Sequence, residues 1–387
     1  MHSKAIPMSE LAKRVQTFSE GCYDDFAETR PMAFEAPYSL RYNSPVEGFG
    51  AGVVTEADGA LNMHAFGQLQ ERLQGPGVRW LTDGEKCPDP VRADVMNSLL
   101  RHRENMRLLL RRRDGTVRAV LSDQYSRFDH KHFMPLLDEA IGALPAEVSR
   151  TVEVHRTEVD DVLRAYILLP AITFAQDPPG RVIQGGSDLA PQTFDPGVVD
   201  GNGGGLHPAL WIHNSEIGTG GVRLHGAVYR MVCSNGIIWG WKAGETFNVI
   251  HRHLSTETMR AVLADALPVA LRMSETAAEA FLASQRVVIR RDKANNLIEA
   301  WAEKYGLSIE GKDAWKSMVR AEATMYGRTD APALFDVVNG LTFIAQDRKP
   351  DEREQMERAA GDLLVEDLFR MQYAERPAAL EPALLEE

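Results

Sequence analysis

The sequence predicts an α+β protein, with antiparallel hairpins packed with helices and then a mainly helical C-terminal half. Three observations predict it. Apolar residues alternate with a period of two in neighbouring runs between about 107 and 241, around turn dipeptides. After His253 the period becomes helical for most of the remaining chain. Strand-like runs come in pairs and do not alternate with helices, which excludes the βαβ order of a parallel nucleotide-binding sheet. The 387 residues, 44% apolar and 25% charged, suffice for one large or two ordinary domains with a substantial core.

Residues 1–75 are rich in Gly, Pro and polar residues and read as an irregular N-terminal segment, with a short amphipathic helix over 63–73. Residues 76–253 read as the α+β core. Val91, Val95, Leu99 and Leu100 predict a helix over 91–104. MRLLLRRR and TVRAVLS flank Asp114-Gly115, a dipeptide suited to a type I′ turn, where both central residues take positive φ. FDHKHFMPLLDEAIGAL follows as a turn and a helix ending near Gly142, with Pro135 in its first turn. TVEVHRTE and VLRAYILLP form a second strand pair, and the Pro- and Gly-rich stretch 171–205 a long loop. ALWIHNS, VRLHGAVYRMVCS and IIWGWKAG make a third group, with Asn235-Gly236 as its hairpin turn. In the helical region 254–350, Ser255 caps a helix that Pro268 should kink. Further helices cover roughly 275–290, 293–305, 311–325 and 331–346, and residues 351–387 read as an acidic tail.

The formal net charge of −12 is unevenly placed. Residues 101–118 hold seven arginines against Glu104 and Asp114, whereas 351–387 hold eleven acids against four arginines. No run approaches the ~18 apolar residues that span a bilayer. The start, MHSKAIPMSELAKRV, lacks the apolar stretch of a secretory signal, so a cytoplasmic setting without membrane contact is expected. Cys22, Cys87 and Cys233 are far apart and odd in number, which fits reduced thiols and no disulfide framework.

A two-residue turn at Asp114-Gly115 sets Arg111 opposite Arg118 and Arg113 opposite Thr116. Arg107, Arg111, Arg113 and Arg118 then share one face, with Leu108, Leu110, Val117, Ala119 and Leu121 on the other, interrupted by Arg112. Facing arginines repel unless something neutralises them, and a phosphate backbone is one candidate. The ordinary alternative is that these arginines pair with acids elsewhere in the chain. Around Asn235-Gly236, Arg230 faces Trp241 and shares a side with Trp239, an arrangement that can stack bases or form a core edge. His251 and His253, like His130 and His132, lack the two further ligands zinc requires. GNGGG lacks the GK[ST] ending of a phosphate loop, and no GxSxG or HExxH appears. No catalytic residue, cofactor or metal ligand is therefore assigned.

The segment ALWIHNSEIGTGGVRLHGAVYRMVCSNGIIWG resembles the phage/plasmid-like proteins grouped as domain-of-unknown-function family nine hundred and thirty-two. NSEIG, the arginine three residues before the cysteine, and VCSNG carry the resemblance. RAVLSDQYSRFDHKHF and LFDVVNGLTFIAQDR agree with it, so it runs from about Val91 to Asp347. It implies a mobile-element setting and no established catalytic residue. Such elements commonly encode strand-annealing proteins of the RecT and Red-beta kind, which build hairpin-plus-helix domains and assemble into rings or filaments. The leading expectation is a non-enzymatic, homo-oligomeric protein that binds single-stranded nucleic acid for annealing or recombination. Arg107, Arg111, Arg113 and Arg118 would hold phosphates, while Arg230, Trp239 and Trp241 would orient bases. Two alternatives stand beside it: an interaction protein contacting host proteins through the acidic tail, and a metal-dependent enzyme using scattered carboxylates such as Asp177, Asp195 and Glu216.

Overall fold

The computed structural model describes residues 5–45, 54–172, 175–176, 182–183, 192–193, 205–230, 235–238, 247–252, 254–325, 327–328 and 331–374. The architecture is α+β, with two antiparallel-rich sheets followed by helices, as the residue patterns predict.

The N-terminal part is ordered, against the irregular segment expected for residues 1–75. After α1 (Met8–Glu20) come β1 (Cys22–Glu28), β2 (Ala33–Ala36), β3 (Ser39–Pro45), β4 (Val54–Leu61) and α2 (Met63–Arg72). Alternation fails to reveal β1 because its polar residues sit at inward positions. Asp24 faces Arg111, and Asp25, on the opposite side of the strand, faces Arg112. The helices α3 (Val78–Thr82) and α4 (Asp89–His102) lead to β5 (Arg107–Arg113) and β6 (Thr116–Ser122). Asn62 caps α2 by accepting from the Ala65 N–H at 2.8 Å.

The first sheet runs β1-β5-β6-β4-β3-β2. Its pairs are antiparallel except β4–β6, which is parallel. The sheet curls until β1 approaches β3, where Asp25 accepts from Tyr42 Oη at 2.5 Å and Ser44 Oγ at 2.7 Å. Its five long strands follow the order first, fourth, fifth, third, second, with helices inserted between the third and fourth. That is the connectivity of an OB-type Greek-key barrel. Phe66 and Leu69 from α2, Leu73 just after it, and Met96 and Leu100 from α4 fill one side of it against Leu40, Leu108 and Leu110.

Helices α5 (His130–Gly142) and α6 (Ala146–Ser149) connect to the second sheet. There β7 (Glu153–Val159), β8 (Val162–Leu168), β12 (Gly205–Ser215), β13 (Val222–Arg230) and β14 (Asn235–Ile238) lie in the order β14-β13-β12-β8-β7. The short β9 (Ala175–Gln176) pairs with β12 and β15 (Phe247–Val249) with β13, while β10 (Val182–Ile183) pairs only with β11 (Gln192–Thr193). One face packs on α1, α5 and α7 (Thr256–Ser284) through Leu11, Phe133, Ile167, Leu210, Leu263 and Leu267. Pro135 lies six residues into α5, beyond its first turn. Ser255 caps α7, accepting from the Thr258 N–H at 3.1 Å, and the helix continues through Pro268.

The last helices are α8 (Arg291–Lys304), α9 (Ile309–Met325), α10 (Leu334–Ala345) and α11 (Pro350–Ala374). Residues 351–374 are thus helical, packed through Val365, and not a free tail, while 375–387 lie outside the described residues. Met356, Ala360, Leu363 and Leu364 are buried in the helical core. On its sheet side, α11 sends Glu357 to Tyr166 Oη at 2.6 Å and to Arg156, and Glu354 to Arg164 Nε at 3.0 Å. Arg358 lies over the Trp211 ring at 5.2 Å. No described helix is long and apolar enough to cross a membrane.

Candidate functional site

Positive φ at Asp114 (49°) and Gly115 (83°) forms the tight turn their types predict. After two rungs, at Arg111, the expected register breaks. Arg111 pairs with Ala119 and Arg112 with Val117, so Arg118 is the extra residue of a β-bulge. The apolar division changes with it. Leu108, Leu110, Val117 and Val120 join the barrel core, whereas Leu109, Ala119 and Leu121 meet Val162 and Ile217 at the seam with the second sheet. Both faces of the hairpin are covered.

Arg111 and Arg118 enter that seam, and both are at most 2% exposed. Arg111 donates Nε to Asp24 Oδ1 at 3.0 Å, Nη2 to Asp129 Oδ1 at 2.5 Å and Nη1 to the Glu216 carbonyl at 2.8 Å. Arg118 donates Nη2 to Glu216 Oε2 at 2.6 Å and Nη1 to Asp161 Oδ1 at 2.9 Å. These two arginines therefore have protein acids as their counter-ions, and no solvent face is left for a strand to occupy. The partners lie up to 105 residues away, which is why the local sequence hides them.

Glu216, the acid of NSEIG, is the centre of the seam. Its other oxygen, Oε1, accepts from the His130 backbone N–H at 2.8 Å. Burial alone would raise this carboxyl, but the guanidinium groups of Arg118 and Arg111 and the His130 backbone N–H overrule it and hold the group below its ordinary value. Burial lowers His130 and keeps the ring neutral. Asn214 Nδ2 lies 3.0 Å from His130 Nδ1, and Nε2 lies 2.9 Å from the Asp160 carbonyl, which assigns the proton to Nε2. Tyr125 donates to the Ser215 carbonyl at 2.9 Å and stacks on His251 at 5.0 Å. NSEIG thus joins the two sheets.

Arg112 is also buried. It bonds Asp25 at 3.2 Å, Tyr42 Oη at 2.6 Å and the Asp58 carbonyl at 2.8 Å. Arg107 stays exposed, its guanidinium 4.8 Å from the Phe26 ring centre. Arg113 is half-exposed over Phe18 at 4.3 Å. In the other cluster Arg230 pairs with Asn235, so Asn235-Gly236 begins a strand and is not the turn expected there. The Arg230 side chain, Trp239 and Trp241 lie outside the described residues, as do His253, Cys233, Asp177 and Asp195. Among the described residues no three His, Cys, Asp or Glu side chains gather as a metal site.

Beside this seam a cleft of about 730 Å³ runs along β1 and under the start of α5. Tyr23, Asp24 and Asp25 line it from β1, and Arg127, Lys131 and His132 from the chain around the start of α5. Its acids are already engaged: Asp24 and Asp129 by Arg111, Asp25 by Arg112. Arg127 has a side chain 53% exposed, with its nearest acid oxygen, on Asp24, 3.8 Å away. Lys131 and His132 are exposed, and Tyr23 is 45% exposed. Exposed positive charge in this region thus sits on the rim of the cleft, at Arg127 and Lys131, as well as on Arg107 and Arg113 of the hairpin.

No curated protein and no solved structure matches the chain. Residues 196–361 match the family model described as Domain of unknown function (DUF932), which takes in NSEIG, β13 and the helices through the first half of α11. Over that segment the chain is similar to the DUF932 family, the family its NSEIG and VCSNG motifs resemble.

Proposed function

We propose that the chain binds single-stranded nucleic acid in the cleft beside β1, with no covalent chemistry of its own. The observation that carries this reading is the cleft itself: Arg127 and Lys131 line it, Tyr23 stands half-exposed in its wall, and its acids are already paired. At about 730 Å³ it falls within the range of small-ligand sites and takes one or two nucleotides of a strand. Arg127 and Lys131 supply phosphate contacts, and Tyr23 an aromatic face for a base. OB-type barrels commonly hold oligonucleotides, and that analogy supports the scaffold only. A phage or plasmid origin and assembly of several copies along a strand belong to the same reading. The alternative of an acidic tail docking host proteins keeps less support, because Glu354 and Glu357 are buried against Arg164 and Tyr166.

Fluorescence anisotropy with a labelled single-stranded oligonucleotide across a salt series tests it. Wild type should bind, with a log–log salt slope of about −0.7 per phosphate contact. Arg127→Glu with Lys131→Glu should weaken binding at low salt at least about tenfold, since two attractive contacts become repulsive. An unchanged affinity in the folded double variant, or a flat salt response in wild type, overturns the reading.

A further inference from the structure

A second cavity, of about 390 Å³, lies where α1 meets the tip of β5 and the end of β7. Its walls carry three cations, Lys13, Arg14 and Arg113, against one acid, Glu10. Two of the cations are held in place. Arg14 donates Nε to Glu10 Oε1 at 3.2 Å and Nη1 to Thr157 Oγ1 at 3.1 Å. Arg113 lies over the Phe18 ring at 4.3 Å, with the mostly exposed Asp114 carboxylate 3.4 Å from its Nε. A guanidinium held over a ring loses less freedom on meeting a phosphate. Lys13 is exposed.

The remaining lining, Thr17, Thr157 and Val159, offers no aromatic face, and Phe18 is only 4% exposed beneath Arg113. The groove therefore suits a sugar-phosphate backbone and not a base. Its position connects it to the first cleft. Cys22 lines that cleft and pairs with Arg113 across β1 and β5, so the two cavities flank one rung of the sheet. We infer that the α1–β5 groove is a second subsite for backbone phosphates, taken by the part of a strand that extends beyond the cleft. This rests on the cleft binding a strand at all.

The test compares two labelled oligothymidylates, one of about 5 and one of about 15 nucleotides, within the span of single OB-type sites. Wild type should hold the longer one more tightly. Lys13→Glu with Arg113→Glu should leave the short oligomer unchanged and weaken the long one about tenfold. It should also flatten the long oligomer's salt slope by about 1.4, two contacts at ~0.7 each. Equal loss at both lengths, or no loss at the longer, overturns the subsite in a variant whose melting matches wild type. If that variant does not fold, Lys13→Gln with Arg113→Gln is measured against the same two outcomes. Should wild type bind neither length, the cleft reading falls and the subsite with it. If Arg127→Glu with Lys131→Glu abolishes short-oligomer binding while the Lys13 and Arg113 variant binds the long one normally, the subsite alone falls.

Discussion

Arg111 gives up its hydration shell for two carboxylates and a carbonyl, and the exchange works only because every donor it uses is matched. Asp129 and Asp24 raise its affinity for a proton despite burial, so it stays charged at any pH where the protein folds. Removing one member of such a network costs more than the network contributes, because a charge is left in a dry seam. Glu216→Gln should therefore destabilise the protein by about 3–5 kcal/mol, read as a lower urea midpoint with unchanged slope. A loss below about 1 kcal/mol would mean that water reaches the seam. Arg111→Glu with Arg118→Glu, harmless if both were solvent-facing, should yield no folded protein, since it would crowd Asp24, Asp129, Asp161 and Glu216 with two further acids.

At the level of elements, the β-bulge at Arg111 and Arg112 marks what local pattern can reveal. The Asp114-Gly115 turn, the two strands beside it, the Ser255 cap and the helices after it follow from periodicity and turn chemistry. The bulge does not, because placing Arg118 in the seam is favourable only once Glu216 and Asp161 are there to receive it. For the same reason β1 escaped detection, and the cleft beside it, whose walls come from residues 22–26 and 127–132, is invisible in the pattern of either segment alone. Gly226 offers another case. A Cβ there would lie 2.4 Å from the Ala270 carbonyl and 2.7 Å from Met273 Cβ, so its bare backbone lets α7 settle on β13. Gly226→Ala should cost about 1–3 kcal/mol through displacement of α7, seen as a lower melting temperature with the fold retained. An unchanged melting temperature would show that the helix shifts freely over the sheet.

Across the whole molecule, burial sets the response to acid. It lowers His251 to about 4, helped by the nearby positive charge of Arg111. It lowers His213 to about 3, with Arg223 adding to the effect, and His225 to about 3, with Arg358 adding. Each ring is neutral in the fold and takes a proton more readily once unfolded. Between their ordinary value of 6.5 and about 4, the unfolded chain therefore binds more protons than the native one. Stability should be full above that range and fall as pH drops through it, which a series of thermal melts from pH 7 to 4 would record. A melting temperature constant over that interval would contradict the burial of these rings. The second sheet has a consequence for anyone expressing the family-matched segment alone. Its central strand β12 lies within residues 196–361, but its neighbour β8 ends at Leu168. A fragment cut at 196 would bare one long flank of an eleven-residue strand and strand the Glu216 carboxylate without either guanidinium. Such a fragment should collect in the insoluble fraction on expression, whereas one that reaches back through the barrel to β1 should stay in the soluble fraction.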